Sequence, residues 1–302
     1  MTKREALQKR YEDAVESFVE KVRSDANVIA VFVYGSISHG TVWENSDTDV
    51  TVVIRDQNLD SRELSLYEDN LQVNVELVKY SDFKRYLEKA RAGSIWFSFG
   101  ATYKLVYTAE ESLREYIEEY KTIGRRDMEW SLFFMAEMVV NCMYKINKFV
   151  NVQGDLEYAR HYALKNGANE IAAMEVIKNF KTPTREAILQ AAECSPEVIS
   201  KFFYVPMRKL MTKEELVSYA EEMDKYLMEH FEIFKRVADE CFGDGEIKTG
   251  TQISRFFQSG MHGLDSLMNF LCDKGYLVRV SQTIRLTPKS RPAVEEVAYI
   301  KA

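Results

Sequence analysis

Residues 31–54, VFVYGSISHGTVWENSDTDVTVVI, decide how this chain is read. Two apolar, β-branched runs, VIAVFVY (28–34) and DVTVVI (49–54), have the length and composition of buried strands. Between them stand Gly35-Ser36, a polar loop, and then Asp47 and Asp49 at the mouth of the second run. Residues two apart on a strand share a face, so the two carboxylates aim at one point. Unpaired they repel, and a divalent cation turns that repulsion into affinity. Mg²⁺ commonly takes one or two carboxylates plus substrate phosphates, so Asp47 and Asp49 predict a magnesium seat. Glycine lets the backbone turn tightly after the first strand, and the free N–H groups beyond it, with the Ser36 hydroxyl, suit phosphate oxygens. Cradle and seat then share one end of a sheet, where a metal-bound triphosphate would fit.

A third group comes from SRELSLYEDNLQVNVELVKY (61–80), which alternates around a Glu-Asp-Asn turn and predicts a hairpin. In VNVELV (73–78), Val73, Val75 and Leu77 take one face and leave Asn74 and Glu76 on the other. Beside DVTVVI, Glu76 would join the aspartates, and three carboxylates can hold two metal ions roughly 3.5 to 4 Å apart. Asn74, being neutral, is the weaker ligand.

Around this centre the chain organises into an α+β architecture. Residues 3–24 predict a helix, Ser81 to Gly93 another with Ser81 as N-cap, 105–107 a short strand, and 110–121 a further helix, which completes a mixed unit over 1–125. From Arg126 the apolar period turns helical, through 126–150 and 156–180. Thr182-Pro183 and Ser195-Pro196 read as helix starts, and Thr212 with Glu215 as a capping box. Residues 126–242 therefore predict an all-α bundle on the acceptor side. GDGEIKTG (243–250) reads as a linker. A helix with Ile253, Phe256 and Phe257, another over 262–274, and YLVRVSQTIRLTPKSR as a two-stranded wing give 243–302 a winged-helix-like order.

Gly-Ser after a strand, Asp-x-Asp a dozen residues later and a carboxylate on a following strand together resemble the DNA polymerase β-like nucleotidyltransferase superfamily. Gly35, Ser36, Asp47, Asp49 and Glu76 match that pattern, Gly40 fits its later loop glycine, and Glu76 departs from it in being one methylene longer than the usual Asp. An α/β domain followed by a bundle is similar to the kanamycin nucleotidyltransferase group. The resemblance implies transfer of a nucleoside monophosphate from an NTP, ATP being the expected one, to an acceptor hydroxyl. Two Mg²⁺ would be held by Asp47, Asp49 and Glu76, with Gly35 and Ser36 on the outer phosphates. It also implies a bundle carboxylate as base for the acceptor. Glu137 and Glu157, the latter beside Arg160 and His161, both fit that description. The bland alternative for Glu137, Asn141, Lys145 and Lys148 is a solvated helix face. His39 reads as a solvated loop residue, with a phosphate contact as the alternative; Tyr34, Trp96, Phe97 and Phe99 read as core, with stacking on a base or sugar as the alternative, and the methionines at 128, 135, 138 and 143 read as core.

Composition narrows the partners. The net charge is -7, and an acidic body repels phosphate backbones, so long nucleic acid is a poor substrate. Residues 265 and 273, both Asp, stand against only Lys274 on the helix that would enter a groove, although Arg279, Arg285, Lys289 and Arg291 make the wing basic. The last module is expected to pack or to form a homodimer. The four cysteines lie far apart without zinc or disulfide spacing. The polar start and the lack of a run of about 20 apolar residues predict a cytoplasmic protein. The leading expectation is a nucleotidyltransferase acting on a small hydroxylated acceptor, for which an acidic surface suits an aminoglycoside-like cation. The rivals are a nucleotide-sensing regulator with a winged helix, and a nucleotidyltransferase that modifies protein side chains.

Overall fold

The computed structural model describes residues 2–38, 40, 42–91, 103–119, 124–184, 186–259, 264–289, 291 and 293–302. His39, Gly93, Trp96, Phe97 and Phe99 lie outside them. The chain divides into two compact units, Met1–Ile123 and Gly124–Ala302.

The first unit is built on a five-stranded mixed sheet. Its strands are β1 (Val28–Tyr34), β2 (Thr48–Ile54), β3 (Glu63–Glu68), β4 (Leu71–Lys79) and β5 (Lys104–Thr108). The spatial order is β3-β4-β2-β1-β5, with β2 and β4 parallel and every other neighbour antiparallel. The β3–β4 turn falls at Asp69 and Asn70, both at positive φ (46° and 62°), which short polar side chains tolerate best. Helix α1 (Lys3–Val22) opens with a Thr2–Glu5 capping box. It lays Tyr11, Ala14, Val15 and Phe18 on one sheet face, against Val31, Val33, Val50, Val52 and Val73. Helices α2 (Tyr80–Arg91) and α3 (Glu111–Glu119) cover the other face, where Phe83, Leu113 and Ile117 pack on Ala30, Phe32 and Val53. Helix α2 starts one residue before the expected cap: the Asp56 carboxylate accepts from the Ser81 backbone N–H at 2.9 Å, so a loop side chain takes the capping role.

Chemistry changes along that second face. Across β1, β2 and β4 the register lines up Ala30, Val53 and Val78 at the covered end, then Phe32, Thr51 and Glu76, then Tyr34, Asp49 and Asn74. Apolar residues draw the helices over one end, and the polar end carries the sequence's predicted site. α1 also fixes the loop that leads there. The Tyr11 hydroxyl donates to the Ser46 carbonyl at 2.8 Å, Gln8 to the Ile37 carbonyl at 3.1 Å, and Arg4 to the Gly40 carbonyl at 2.9 Å.

The second unit is mainly helical. Its elements are α4 (Arg125–Lys148), α5 (Leu156–His161), α6 (Ala168–Lys178), α7 (Ala187–Cys194), α8 (Pro196–Ile199), α9 (Val205–Met207), α10 (Lys213–Glu229) and α11 (Phe231–Phe242). Three π-helical stretches, Phe149–Gln153, Tyr162–Gly167 and Ser200–Tyr204, interrupt the α geometry. The buried Tyr219 hydroxyl lies 3.0 Å from the carbonyl oxygens of both Ala163 and Phe202, so one side chain joins two of these stretches. The Thr212–Glu215 capping box forms as expected. Thr182-Pro183 does not begin a helix; α7 starts at Ala187, after a turn in which the Thr184 N–H donates to Gln190.

The segment after Phe242 belongs to this same unit. It comprises β6 (Lys248–Thr249), α12 (Gly250–Phe256), α13 (Asp265–Asp273), β7 (Leu277–Arg285) and β8 (Ala293–Lys301), the strands ordered β6-β8-β7. The second long strand is the terminal AVEEVAYIK rather than the stretch through residue 291. Phe257 stacks on Phe133 (5.2 Å between centroids) and meets Trp130 edge-on (5.4 Å), so aromatic packing joins this module to α4. Residues 243–250 are thus no boundary between compact bodies. Among the described residues, no helix is long and apolar enough to cross a membrane.

The Tyr11 tether gives a simple test. Tyr11→Phe keeps the buried ring and loses one neutral hydrogen bond, so urea unfolding should register a loss of about 1 kcal/mol.

Candidate active site

The polar end of the sheet brings the predicted groups into one neighbourhood. Gly35 ends β1 at φ +76°, a conformation that glycine adopts without strain, and opens a single 3₁₀ turn through Ile37. A Cβ placed on Gly35 would stand 3.6 Å from Asp49 Oδ2, so the turn and the carboxylate face each other closely. The Ser38 hydroxyl donates to the Gly35 carbonyl at 2.8 Å and holds the turn. Asp47 is exposed just ahead of β2, and Asp49 is half-buried in its second position. Burial raises the Asp49 carboxyl above its ordinary range, the Asn74 amide pulls it down, and the Asp47 charge pushes it up again. The predicted repulsion between the two aspartates is therefore present, and among the described residues no lysine or arginine pairs with Asp47, Asp49 or Glu76.

The structure orders the third strand's groups differently from the simplest expectation. Asn74, not Glu76, is the register partner of Asp49, and its amide donates to Asp49 Oδ1 at 3.3 Å. Glu76 sits opposite Thr51, on the same face but one pair further along. Among the described residues, no three His, Cys, Asp or Glu side chains are gathered as a ready metal cage. Two aspartates with unresolved repulsion beside a glycine turn still fit a hard cation that completes its shell with phosphate oxygens, as Mg²⁺ does.

Two tyrosines flank these acids: Tyr34, which its apolar run places in the core, and Tyr103, which no local pattern marks. Tyr34 and Tyr103 lie 4.9 Å apart between ring centroids. Burial pushes the Tyr103 phenol up to about 12, and the Glu76 and Asp49 charges add to the rise. Tyr34 is raised further, by burial and then by Asp49. Both hydroxyls therefore stay protonated beside the carboxylates. Next to them a cavity of about 360 Å³ is lined by Tyr34, Glu63, Ser65, Asn74 and Glu76 together with Leu64 and Val75.

The other candidates lie in the second unit. Glu137 is neither solvated nor free. It is 4% exposed, and its two oxygens accept from the backbone N–H groups of Leu267 (2.5 Å) and Ser266 (3.2 Å), so it caps the first turn of α13. Burial raises its pKa to about 7 against the pull of those amides. Further along the same stripe, Asn141 donates to the Ser266 hydroxyl at 3.4 Å and Tyr144 to Asp273 at 3.1 Å. The polar stripe of α4 is thus the seat of α13. These contacts hold the start and the end of α13 against α4. Glu157 is exposed in the first turn of α5, and Arg160 is committed to the Met211 carbonyl at 2.8 Å.

Residues 16–112 match the family model described as polymerase beta, nucleotidyltransferase. The first unit is a nucleotidyltransferase domain of the polymerase β superfamily. The chain is similar in fold to a nucleotidyltransferase-like protein from Exiguobacterium sibiricum 255-15. The TM-score is 0.64 at 13% identity, covering 96% of this chain and 99% of that one. Spectinomycin adenyltransferase AAD(9) from Enterococcus faecialis, solved with ATP and spectinomycin, aligns at TM-score 0.30 and 15% identity, covering 71% of this chain and 97% of that one. A similarity of that size carries no inference about the acceptor. A search of curated proteins finds no match.

The Glu137 cap has a pH signature. Its folded pKa lies above the ordinary 4.5, so its contribution to stability is complete below about pH 4.5 and is lost as pH rises through about 7. The span corresponds to something on the order of 3 kcal/mol. Urea unfolding at pH 5 and pH 8 should show the wild-type chain losing more stability between those values than Glu137→Gln, which cannot ionise.

Proposed function

We propose that this chain transfers a nucleoside monophosphate from an NTP, with ATP the first to test, to a hydroxyl of a small molecule, in a reaction that uses Mg²⁺. The observation that carries this reading is the glycine turn at positive φ facing the Asp49 carboxylate, with Asp47 adjacent and no cationic side chain among the described residues to neutralise either. A stable protein gains nothing from unrelieved like charges at an open sheet end. A metal-bound triphosphate relieves them.

In this reading Asp47 and Asp49 would hold the metal, with Glu76 contributing from β4 as the acceptor end of the site forms. When bound, Mg²⁺ would neutralise the triphosphate and lower the pKa of the attacking hydroxyl. The residues of the chain then have separate tasks. The Gly35–Ser36 turn offers backbone N–H groups to the outer phosphates. The protonated Tyr34 and Tyr103 phenols bound the site without adding charge. The acceptor oxygen forms a bond to the α-phosphorus, the bond from that phosphorus to the α–β bridging oxygen breaks, pyrophosphate leaves, and the hydroxyl proton passes to water or to a neighbouring carboxylate. The cavity beside Tyr34 and Glu76 is where an acceptor would approach.

The test is direct. With ATP labelled at the α-phosphate, Mg²⁺ and a panel of hydroxylated small molecules, the wild-type chain should yield a labelled product. Asp49→Ala should lower kcat by roughly 10³-fold, the rate equivalent of the several kcal/mol that a metal ligand contributes to the transition state. Its circular dichroism should be unchanged. Turnover near the wild-type level in that variant would refute the assignment, and labelling of the chain itself or of an added protein would point to protein modification.

A further inference from the structure

Asn74, the neutral and hence weaker ligand type on β4, is the group in direct contact with Asp49. Its surroundings determine which way its amide points. The Ser65 hydroxyl, from the facing strand β3, donates to Asn74 Oδ1 at 3.1 Å. Gln72 Nε2, two residues earlier on β4, donates to the same oxygen at 2.9 Å and to the Ser65 hydroxyl oxygen at 3.1 Å. Two donors on the carbonyl oxygen leave the Asn74 NH₂ as the end that faces Asp49, and it donates to Oδ1. The other carboxylate oxygen, Oδ2, is the one that stands over Gly35.

We propose that Asn74, locked by Ser65 and Gln72, is a positioning residue for Asp49: it holds Oδ1 and thereby presents Oδ2 to the glycine turn. The inference rests on the reading of Asp49 as a metal-holding residue. It differs from the expectation that residue 74 is itself a weak ligand, because an amide whose oxygen already accepts twice turns its NH₂ end, which cannot ligate a cation, toward the site. It also gives the β3–β4 hairpin a function. Ser65 lies on the outermost strand of the sheet, and the hydrogen bonds carry its position inward to β2. Groups that orient a metal-holding side chain commonly alter metal affinity or activity by about 10 to 100-fold when removed.

Three variants and two readouts test this. The first readout is independent of turnover: in the wild-type chain the Asn74 side-chain amide proton resonances should sit downfield and move on Asp49→Ala, and the Asp49 carboxyl carbon resonance should move on Asn74→Ala. The second is Mn²⁺ affinity in the presence of ATP, alongside kcat. Asn74→Ala should weaken Mn²⁺ binding by about 10 to 100-fold at an unchanged melting temperature, and Ser65→Ala/Gln72→Ala should weaken it in the same direction by a smaller factor. Asn74→Asp, which cannot donate when ionised, should not restore binding. Tighter Mn²⁺ binding in Asn74→Asp would show that position 74 acts as a ligand and overturn the proposal, as would unchanged affinity in Asn74→Ala or in the double variant. Coupled resonances in a chain that neither binds Mn²⁺ with ATP nor turns over would sink the nucleotidyl-transfer reading and leave the contact standing. An active wild-type chain without the coupling would do the reverse.

Discussion

The parallel pairing of β2 with β4 is the constraint on which the site depends. Each residue of β2 is matched 25 positions later on β4, so Val50 meets Val75 on one face while Asp49 meets Asn74 and Thr51 meets Glu76 on the other. One register buries a continuous apolar layer under α1 and also sets the polar groups in a row. A slip of one residue would turn Asn74 and Glu76 into the α1 layer and Val75 toward the site, which makes the core and the chemistry inseparable. The second face is divided because its apolar end attracts α2 and α3 and its polar end cannot.

The second unit shows the opposite use of polar side chains. Glu137, Asn141 and Tyr144 form a stripe at helical spacing on α4, and each engages α13 or the residue that ends it. A buried carboxylate there satisfies helix-end N–H groups that would otherwise be lost to water. The same side-chain type serves as unrelieved charge at one place and as a saturated cap at another. Partners distinguish the two roles: Asp49 accepts one long hydrogen bond from an amide, and Glu137 accepts two from backbone.

What was legible in the sequence follows the range of the interactions concerned. Strands 28–34 and 49–54, the hairpin turn at Asp69-Asn70, the capping box at Thr212 and the Gly35 turn are written in local periodicity and turn chemistry, and all are present. The closeness of the two aspartates was legible because one residue separates them at the mouth of the strand, and the Asp47 charge does act on Asp49. The place of Asn74 was not, because it depends on the register between strands that are not adjacent in sequence. The cap of α2 was missed for the same reason, since Asp56 reaches it from 25 residues away. Strand β8 was obscured by Glu295 and Glu296. The structure uses them as acceptors for Thr283 and for the Thr251 N–H, so charged residues sit in a strand at no cost in unpaired groups.

On the proposed function, the polar end of the β2–β4 pair receives a metal-bound nucleotide. Paramagnetic broadening by Mn²⁺ with ATP measures this in the intact chain, since the ion relaxes only nuclei near it. Broadening is expected to centre on Gly35, Asp47, Asp49 and Asn74. Sharp lines throughout the β1–β2 turn in the presence of bound nucleotide, or broadening centred on the helical unit, would contradict it.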